Sequence, residues 1–153
     1  MTDGRAIDTR LALILLLIDG LGELRGRTRL QKLVFLTQSE GAREVSENLF
    51  DFVPHRYGPF SRQLDAYVVA AKNLALLVEE PYEVETSYGK VSGYRFRLTR
   101  RGERELHVIM DQVNTVLADR IRQIVSAFGK MDMKDLLEYV YDRYPNMASP
   151  DAE

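Results

Sequence analysis

The sequence predicts a mainly α fold with a small β-hairpin, and three observations carry this prediction. Apolar residues recur at helical spacing in several separate stretches, most clearly from Leu64 to Val78. Apolar and polar residues alternate with period two over Tyr94–Thr99, as they do in a half-buried strand. Residues that start and stop helices lie between these stretches. The chain is therefore expected to be an α+β domain in which helices predominate.

The composition is that of one folded domain. Of the 153 residues, 45% are hydrophobic and 29% are charged, which is typical of a globular chain and not of a disordered one. We expect flexible tails at residues 1–7 and 146–153 and a core domain at residues 8–99. Residues 100–145 are expected to form a long helix and a C-terminal helix, which pack on this core or at a dimer interface.

Two helices are predicted at the start of the core domain. Asp8 or Thr9 can cap the first helix, which runs to about Leu21. Its apolar residues lie nearly all round the helix, so we expect it in the core, with a dimer contact as the alternative. The second helix is expected to start at a capping box formed by Thr28 and Gln31.

A third helix is predicted after a short extended segment and a turn. Gly58-Pro59 is a turn dipeptide, and the proline is expected to push Gly58 towards an extended conformation. Ser61 can then accept a hydrogen bond from a free amide of the first helical turn. The apolar stripe that follows predicts a helix from Arg62 to about Leu77.

A β-hairpin is predicted after the third helix. Its strands are Tyr82–Tyr88 and Tyr94–Thr99, with a turn at Gly89–Gly93 that is longer than the two-residue kind. Thr99 is expected to cap one helix of more than six turns, and Asp132 to cap a last helix.

The order of these elements predicts a winged helix-turn-helix with additional C-terminal helices. Three helices followed by a two-stranded hairpin are the winged form of this DNA-binding motif. The third helix then occupies the position of the recognition helix, and the hairpin occupies that of the wing.

Several motifs resemble those of the uncharacterised YwgA family. They are Gly26–Phe35 (GRTRLQKLVF), Tyr57–Ser61 (YGPFS) and Tyr94–Thr99 followed by Gly102. Through its Leu-Gln-Lys-Leu and Tyr-Gly-Pro elements the chain also resembles, more distantly, the Panacea antitoxin-type domain. The resemblance covers residues 10–145 and implies a winged-helix-like fold. It also implies two uses, which are DNA binding and neutralising contact with a toxin protein.

The leading functional prediction is a non-enzymatic, DNA-binding transcriptional regulator with duplex DNA as its partner. Arginine, glutamine and asparagine side chains read base edges, and lysine and arginine contact phosphates. The alternative for the basic residues is a solvated face balanced by glutamates, since the net charge of −2 gives no overall positive field. The predicted DNA-binding residues are Arg62, Gln63, Lys72 and Asn73 on the third helix and Lys90, Arg95 and Arg97 on the hairpin.

The alternative functional prediction is an antitoxin-like or adaptor module that binds a protein. The outer face of the third helix is smoother and more apolar than a typical DNA-reading helix. The residues predicted to form this protein interface are Ala66, Val69, Ala70 and Leu76.

Catalytic, metal and cofactor sites are not predicted. The chain has no cysteine and only two histidines, His55 and His107, in unrelated contexts. The adjacent Glu79 and Glu80 would point apart and have no evident third ligand. Lys32 is expected to face outward or to pair with an acidic residue.

The sequence also predicts location and assembly. The longest apolar run, Leu11–Ile18, is shorter than the roughly 18 residues that span a bilayer, so we expect a cytoplasmic protein without membrane contact. A homodimer is expected, through the first helix or the long fourth one. Tyr57 is expected to have a structural role, with its side chain packed under the turn that precedes the third helix.

Overall fold

The computed structural model describes residues 8–40, 49–113 and 115–148, which form six α-helices and a three-stranded antiparallel sheet. The prediction of an α+β fold is thus confirmed. The elements are α1 (Thr9–Leu21), β1 (Leu24–Arg25), α2 (Arg27–Ser39), α3 (Arg62–Asn73), β2 (Leu77–Thr86), β3 (Gly89–Leu98), α4 (Arg100–Ile109), α5 (Thr115–Phe128) and α6 (Met133–Arg143), with 3-10 turns at Met110–Gln112 and Pro145–Met147.

Helix α1 is the centre of the hydrophobic core. Asp8 caps it as predicted, since its Oδ1 accepts from the amide of Arg10 at 3.1 Å. Residues 12–15, 17 and 18 are fully buried, and the helix packs against α2, α3, α4, α5 and β3. Most apolar side chains of α1 are thus buried within one chain, whereas Leu11, Leu16 and Leu21 are partly buried, and the dimer contact through α1 stays a prediction. None of the helices in the described ranges is long and apolar enough to cross a membrane.

The sheet has the order β1-β3-β2, and its hairpin is tighter than predicted. β2 and β3 pair from Leu77↔Leu98 to Thr86↔Gly89, which leaves a loop of only Ser87 and Tyr88. The longer turn predicted at residues 89–93 is wrong. Gly89 adopts φ +110° at the end of the loop, which only glycine does readily, and so permits the close connection.

Helix α3 ends four residues earlier than predicted. The amide of Leu76 donates to Ala71 O at 2.9 Å and that of Ala75 to Lys72 O at 2.9 Å. These two bonds form a Schellman motif around Ala75, which adopts φ +61°. The turn directs Leu76 into the core, where it is 5% exposed. Its predicted place on an exposed protein interface is therefore wrong.

The long helix predicted from Thr99 onward is two helices. Thr99 caps α4 as predicted, with its Oγ1 accepting from Gly102 N at 2.9 Å. The chain then breaks at residues 110–113, where Val113 is extended and buried. The break allows both α4 and α5 to pack against α1, which a single straight helix could not do. The long apolar stripe that favoured dimerisation through the fourth predicted helix is thus divided between two helices.

The C-terminal end contacts the core beyond the predicted domain boundary at residue 145. Met147 packs against the core, and Ala148 forms a parallel bridge with His55. The contacts with the core thus extend three residues into the predicted tail. The tails predicted at 1–7 and 149–153 lie outside the described residues.

Candidate partner-binding surface

A buried polar link joins α2 to the turn that precedes α3. The Gln31 amide accepts from Ser61 N at 2.8 Å and donates to Ser61 O at 3.0 Å. Lys32 Nζ donates to Pro59 O at 3.0 Å. Two adjacent side chains of α2 thus bind the backbone of the turn. Ser61 Oγ accepts a hydrogen bond from Leu64 N and so caps α3, as predicted.

This link overturns three local predictions. The second helix begins at Arg27 behind Gly26, so Gln31 does not take part in a capping box with Thr28. Lys32 is 2% exposed and does not face outward. Gly58 is in the positive-φ region at +93° because the chain turns sharply there, with its amide donating to His55 O at 3.0 Å.

The position of the Tyr57 side chain also differs from the prediction, whereas the neighbouring Gly58 is closely packed. The Tyr57 side chain is 51% exposed and does not pack under the turn. A Cβ on Gly58 would lie 3.1 Å from Cε of Lys32 and 3.4 Å from the ring of Tyr141. The turn therefore lies directly on the buried lysine.

The Lys32 ammonium is buried without a carboxylate partner among the described residues. Burial lowers its pKa from 10.5 to about 8. Because an ammonium is costly to remove from water, this charge opposes folding wherever the side chain is protonated in the folded state.

We expect the stability of the protein, relative to a Lys32→Met variant, to rise between about pH 8 and pH 10. A base whose folded pKa lies below its unfolded value is deprotonated first in the folded state, so stability rises with pH in this window. The full difference is at most about 3 kcal/mol, by the usual 1.36 kcal/mol per pKa unit. Urea titrations of both proteins across this window measure the effect. Parallel pH profiles would contradict it.

Some of the predicted DNA-binding side chains on α3 are exposed, whereas others bind groups elsewhere in the chain. The side chains of Arg62 and Asn73 are exposed and make no hydrogen bond or ion pair among the described residues. Gln63 is exposed, and its Oε1 accepts from Asp51 N at 2.9 Å. Between them lies a stripe of small and apolar side chains at helical spacing, which we call the α3 stripe. It consists of Ala66, Val69 and Ala70, all exposed.

Lys72, predicted to contact DNA phosphate, is engaged within the fold. Its Nζ lies 2.8 Å from Glu79 Oε1, and Arg27 lies 2.8 Å from the same carboxylate. The Glu79 side chain is only 8% exposed. Hydrogen bonding from Arg27 is the largest cause that lowers the pKa of Glu79 from 4.5 to about 2. The carboxylate joins the starts of α2 and β2 to the end of α3.

Acid is expected to destabilise the wild-type protein more than a Glu79→Gln variant. A carboxylate with a lowered folded pKa stabilises the fold above its unfolded pKa, and this contribution is lost as the pH falls from about 4.5 towards 2. The contribution is at most about 3 kcal/mol, and the solvent exposure of Arg27 reduces it. Denaturant titrations across this range measure it. An equal acid sensitivity of both proteins would contradict this role of Glu79.

The hairpin arginines are engaged in ion pairs on the outer face of the sheet. Arg95 and Arg97 each lie 3.0 Å from Glu80. Arg95 also lies 2.9 Å from Glu23, to which Arg25 binds at 2.8 Å. Hydrogen bonds from Arg97 and then Arg95 lower the pKa of Glu80. Two glutamates therefore link three arginines, which leaves one positive charge in excess.

The remaining predicted DNA-binding residue of the hairpin is also paired. Lys90 lies 3.1 Å from Glu83, and both side chains are largely exposed, so this pair is weak. Four of the seven predicted DNA-binding residues thus bind a carboxylate of the same chain. The glutamates expected from the sequence to balance the basic residues are Glu83, Glu85, Glu103 and Glu105, and of these Glu83 pairs with Lys90. Most of the other pairs are instead formed by Glu79, Glu80 and Glu23. Adjacent positions on β2 place Glu79 and Glu80 on opposite faces of the sheet, and the register with β3 then decides which basic side chains each carboxylate meets.

A second basic group lies on α4. Arg100, Arg101 and Arg104 are exposed and have no carboxylate partner in the part of the chain that the structure describes. Arg100 and Arg104 line a shallow open groove together with His107.

The described residues contain no group of three or more histidines, aspartates or glutamates that could hold a metal ion. His55 is exposed and stacks on Phe60 with ring centroids 4.8 Å apart, whereas His107 lies on α4. Glu79 and Glu80 point to opposite faces of the sheet, as predicted.

No protein-family model matches the chain, and no curated protein is significantly similar to it.

Proposed function

We propose that this protein is a non-enzymatic binding module on a winged-helix scaffold, and that a helix of another protein docks on the α3 stripe. The scaffold is supported by the order α1-β1-α2-α3-β2-β3, in which a two-stranded hairpin follows the third helix. The link between α2 and α3, residues 40–61, is much longer than the tight turn of the simplest helix-turn-helix.

The observation that carries the proposal is that α3 is apolar on two sides. Its inner side buries Leu64, Val68 and Ala71 in the core. On the outer side, Val69 is 53% exposed between two alanines. A surface helix that packs against one body is normally polar on its opposite side. The outer stripe therefore favours a second packing partner.

The side chains of the stripe favour a helix as this partner. Ala66 and Ala70 lie one turn apart, and such small residues allow the axis of a second helix to approach closely. Val69 lies between them and can insert into the groove of that helix. Arg62 borders the stripe at the start of α3, so a carboxylate on the partner near this end would complement it.

The ion pairs weigh against DNA as the main partner. Lys72, Arg95 and Arg97 would have to leave carboxylates of their own chain before they could bind phosphates. Release of counterions drives phosphate binding, and a side chain that is already paired contributes little to it.

Site-specific photo-crosslinking tests the proposal. A photoreactive amino acid at Ala70, in cells that naturally express the protein, should give an adduct with one other protein, identified by mass spectrometry. The same amino acid at Val108, an exposed residue on α4, should not give this adduct. Val69→Asp should abolish the Ala70 adduct, and Val108→Asp should not. The same adduct from both positions, its survival in Val69→Asp, or an adduct only with a second copy of this chain would contradict the proposal.

Duplex DNA is the second candidate partner. It is favoured by Arg62 and Gln63, which lie exposed in the first turn of the third helix, where recognition helices contact bases. Fluorescence anisotropy with a mixed-sequence duplex distinguishes the two candidates. Affinity that falls steeply with salt and is lost in Arg62→Ala would favour DNA. A flat titration at low salt would exclude it and is the result that the protein-binding proposal expects.

A further inference from the structure

Most of the arginines without a partner lie near the two ends of α3. The other described arginine side chains each bind an acceptor of the same chain. Those that form no side-chain hydrogen bond or ion pair within the described ranges are Arg56, Arg62, Arg100, Arg101, Arg104 and Arg120. Arg62 begins α3, and Arg100, Arg101 and Arg104 lie in the first half of α4.

The start of α4 lies against the turn that ends α3. Thr99 Oγ1 donates to Ala75 O at 2.5 Å, and Thr99 N donates to Leu76 O at 3.1 Å. Because Thr99 is the N-cap of α4, Arg100 and Arg101 follow this contact directly. The α4 arginines therefore lie beside one end of α3, and Arg62 lies at the other end.

Leu74 continues the apolar outer side of α3 towards this contact. Its side chain is 55% exposed and lies four positions after Ala70, which is about one helical turn. A Schellman motif is usually accompanied by an apolar contact from the residue after the positive-φ position, and the buried Leu76 supplies it here. The end of the helix therefore does not explain why a leucine is exposed at position 74.

The α3 stripe alone is too small for a specific interface. Stable complexes bury about 800 Å² on each partner, and two alanines and one valine supply only a small part of this area. A helix that docks on the stripe must therefore also contact the surface that adjoins it. Leu74 and the arginines of α4 are exposed next to the end of α3 and are not engaged with other charged groups of the described chain.

We propose that the partner helix is apolar at its centre and acidic at both ends, and that it extends over Leu74 to Arg100 and Arg101. This inference rests on the proposed docking of a helix on the α3 stripe. Carboxylates at one end of the partner bind Arg62, and those at the other end bind the α4 arginines, since the guanidinium group suits paired hydrogen bonds to a carboxylate. Arg62 and Leu74 are twelve residues apart, so the partner helix spans about 18 Å or more.

This arrangement of charge favours an amphipathic helix over a nucleic-acid backbone. A duplex carries phosphates at regular intervals along its whole length, so it would place some of them against Val69 and Leu74. Glu103 and Glu105, which lie among the arginines of α4, would repel a continuous polyanion. A helix can instead place its carboxylates only where the arginines are and leave its centre apolar.

Photo-crosslinking at Leu74 tests how far the partner extends. In cells that naturally express the protein, a photoreactive amino acid at Leu74 should give an adduct with the same protein as the one at Ala70. An adduct from Ala70 together with none from Leu74 would overturn this inference and leave the docking on the α3 stripe standing. The absence of an adduct from Ala70 would instead contradict the docking itself.

Reversal of charge at the start of α4 tests the acidic end of the partner. The double variant Arg100→Glu, Arg101→Glu should lower the yield of the Ala70 adduct about tenfold or more. Glutamate is favoured in the first turn of a helix, so α4 should stay folded, which circular dichroism confirms. The double variant Arg120→Glu, Arg122→Glu on α5 makes the same change of net charge and should leave the yield unchanged. Equal yields from the two double variants would overturn the inference.

A reversal of charge on the partner distinguishes a direct ion pair from an indirect effect. Mass spectrometry of the Leu74 adduct identifies the crosslinked segment of the partner, which should contain aspartate or glutamate. Changing these residues to arginine should restore the Ala70 adduct in Arg100→Glu, Arg101→Glu and lower it in the wild-type protein. A segment without acidic residues would overturn the inference, as would a double variant whose only defect is weaker binding to duplex DNA.

Discussion

Replacement of Gly102 by alanine is expected to destabilise the protein by about 3 kcal/mol or more, since a Cβ cannot be accommodated without moving the backbone. A Cβ built at this position would lie 1.9 Å from Leu76 O. That carbonyl accepts from Thr99 N at 3.1 Å, so it cannot move without loss of the bond that joins the start of β2 to α4. Thermal and urea unfolding of the purified variant measure the effect.

Helix propensity alone predicts the opposite sign for this substitution. Alanine is favoured over glycine inside a helix by about 1 kcal/mol. Glu105→Ala, at an exposed position on the same helix, is the matched control and should change stability by less than about 0.5 kcal/mol. If Gly102→Ala were as stable as the wild-type protein, the close approach of α4 to Leu76 would be incorrect.

The Gln31→Met variant is expected to lose about 2–3 kcal/mol, because it leaves the buried amide of Ser61 without an acceptor. Methionine has nearly the volume of glutamine, so the loss reports the hydrogen bonds and not a cavity. Gln31 also donates to Asp65 Oδ1 at 3.2 Å, which adds to the effect. Denaturant unfolding measures the loss, and hydrogen exchange should show reduced protection of the Ser61 amide.

Gln63→Met provides the control for this effect. Gln63 also binds a backbone amide, that of Asp51, but at an exposed site where water can replace it. We expect a loss below about 1 kcal/mol, as is usual for a surface substitution. Equal losses in the two variants would show that the buried position of Gln31 does not matter.

These two predictions also give a physical reason for the sequence motifs. The Leu-Gln-Lys-Leu segment supplies Gln31 and Lys32, and the Tyr-Gly-Pro-Phe-Ser segment supplies the backbone that they bind. The two motifs are distant in the chain but form one contact. This contact fixes where α3 begins and hence where the α3 stripe is presented.

Local signals predicted the elements and several of their ends. Asp8, Ser61 and Thr99 cap helices as predicted, because a capping bond involves only residues two or three positions apart. The nearly uniform apolar character of α1 likewise predicted its place in the core. Each of these features depends on a short stretch of chain.

The errors fall where distant residues decide the local structure. The Schellman turn at Ala75 buries Leu76 against the core, and the packing of α4 and α5 on α1 breaks the long helix. The pairing of Lys72 and Arg95 with glutamates depends on the register of strands that are distant in sequence. No local pattern contains this information.

The sequence by itself determined most of the helical and hairpin elements, several of their caps and the apolar composition of the outer side of α3. Only the tertiary structure decided which charges remain available, because ion pairs form between side chains that meet after folding. It paired most of the predicted DNA-binding residues with carboxylates and left the α3 stripe exposed. The physical reason is that the spacing of apolar residues indicates which side of one helix or strand is buried. Whether a charged side chain is free to bind a partner depends on which side chains of other elements lie next to it after folding.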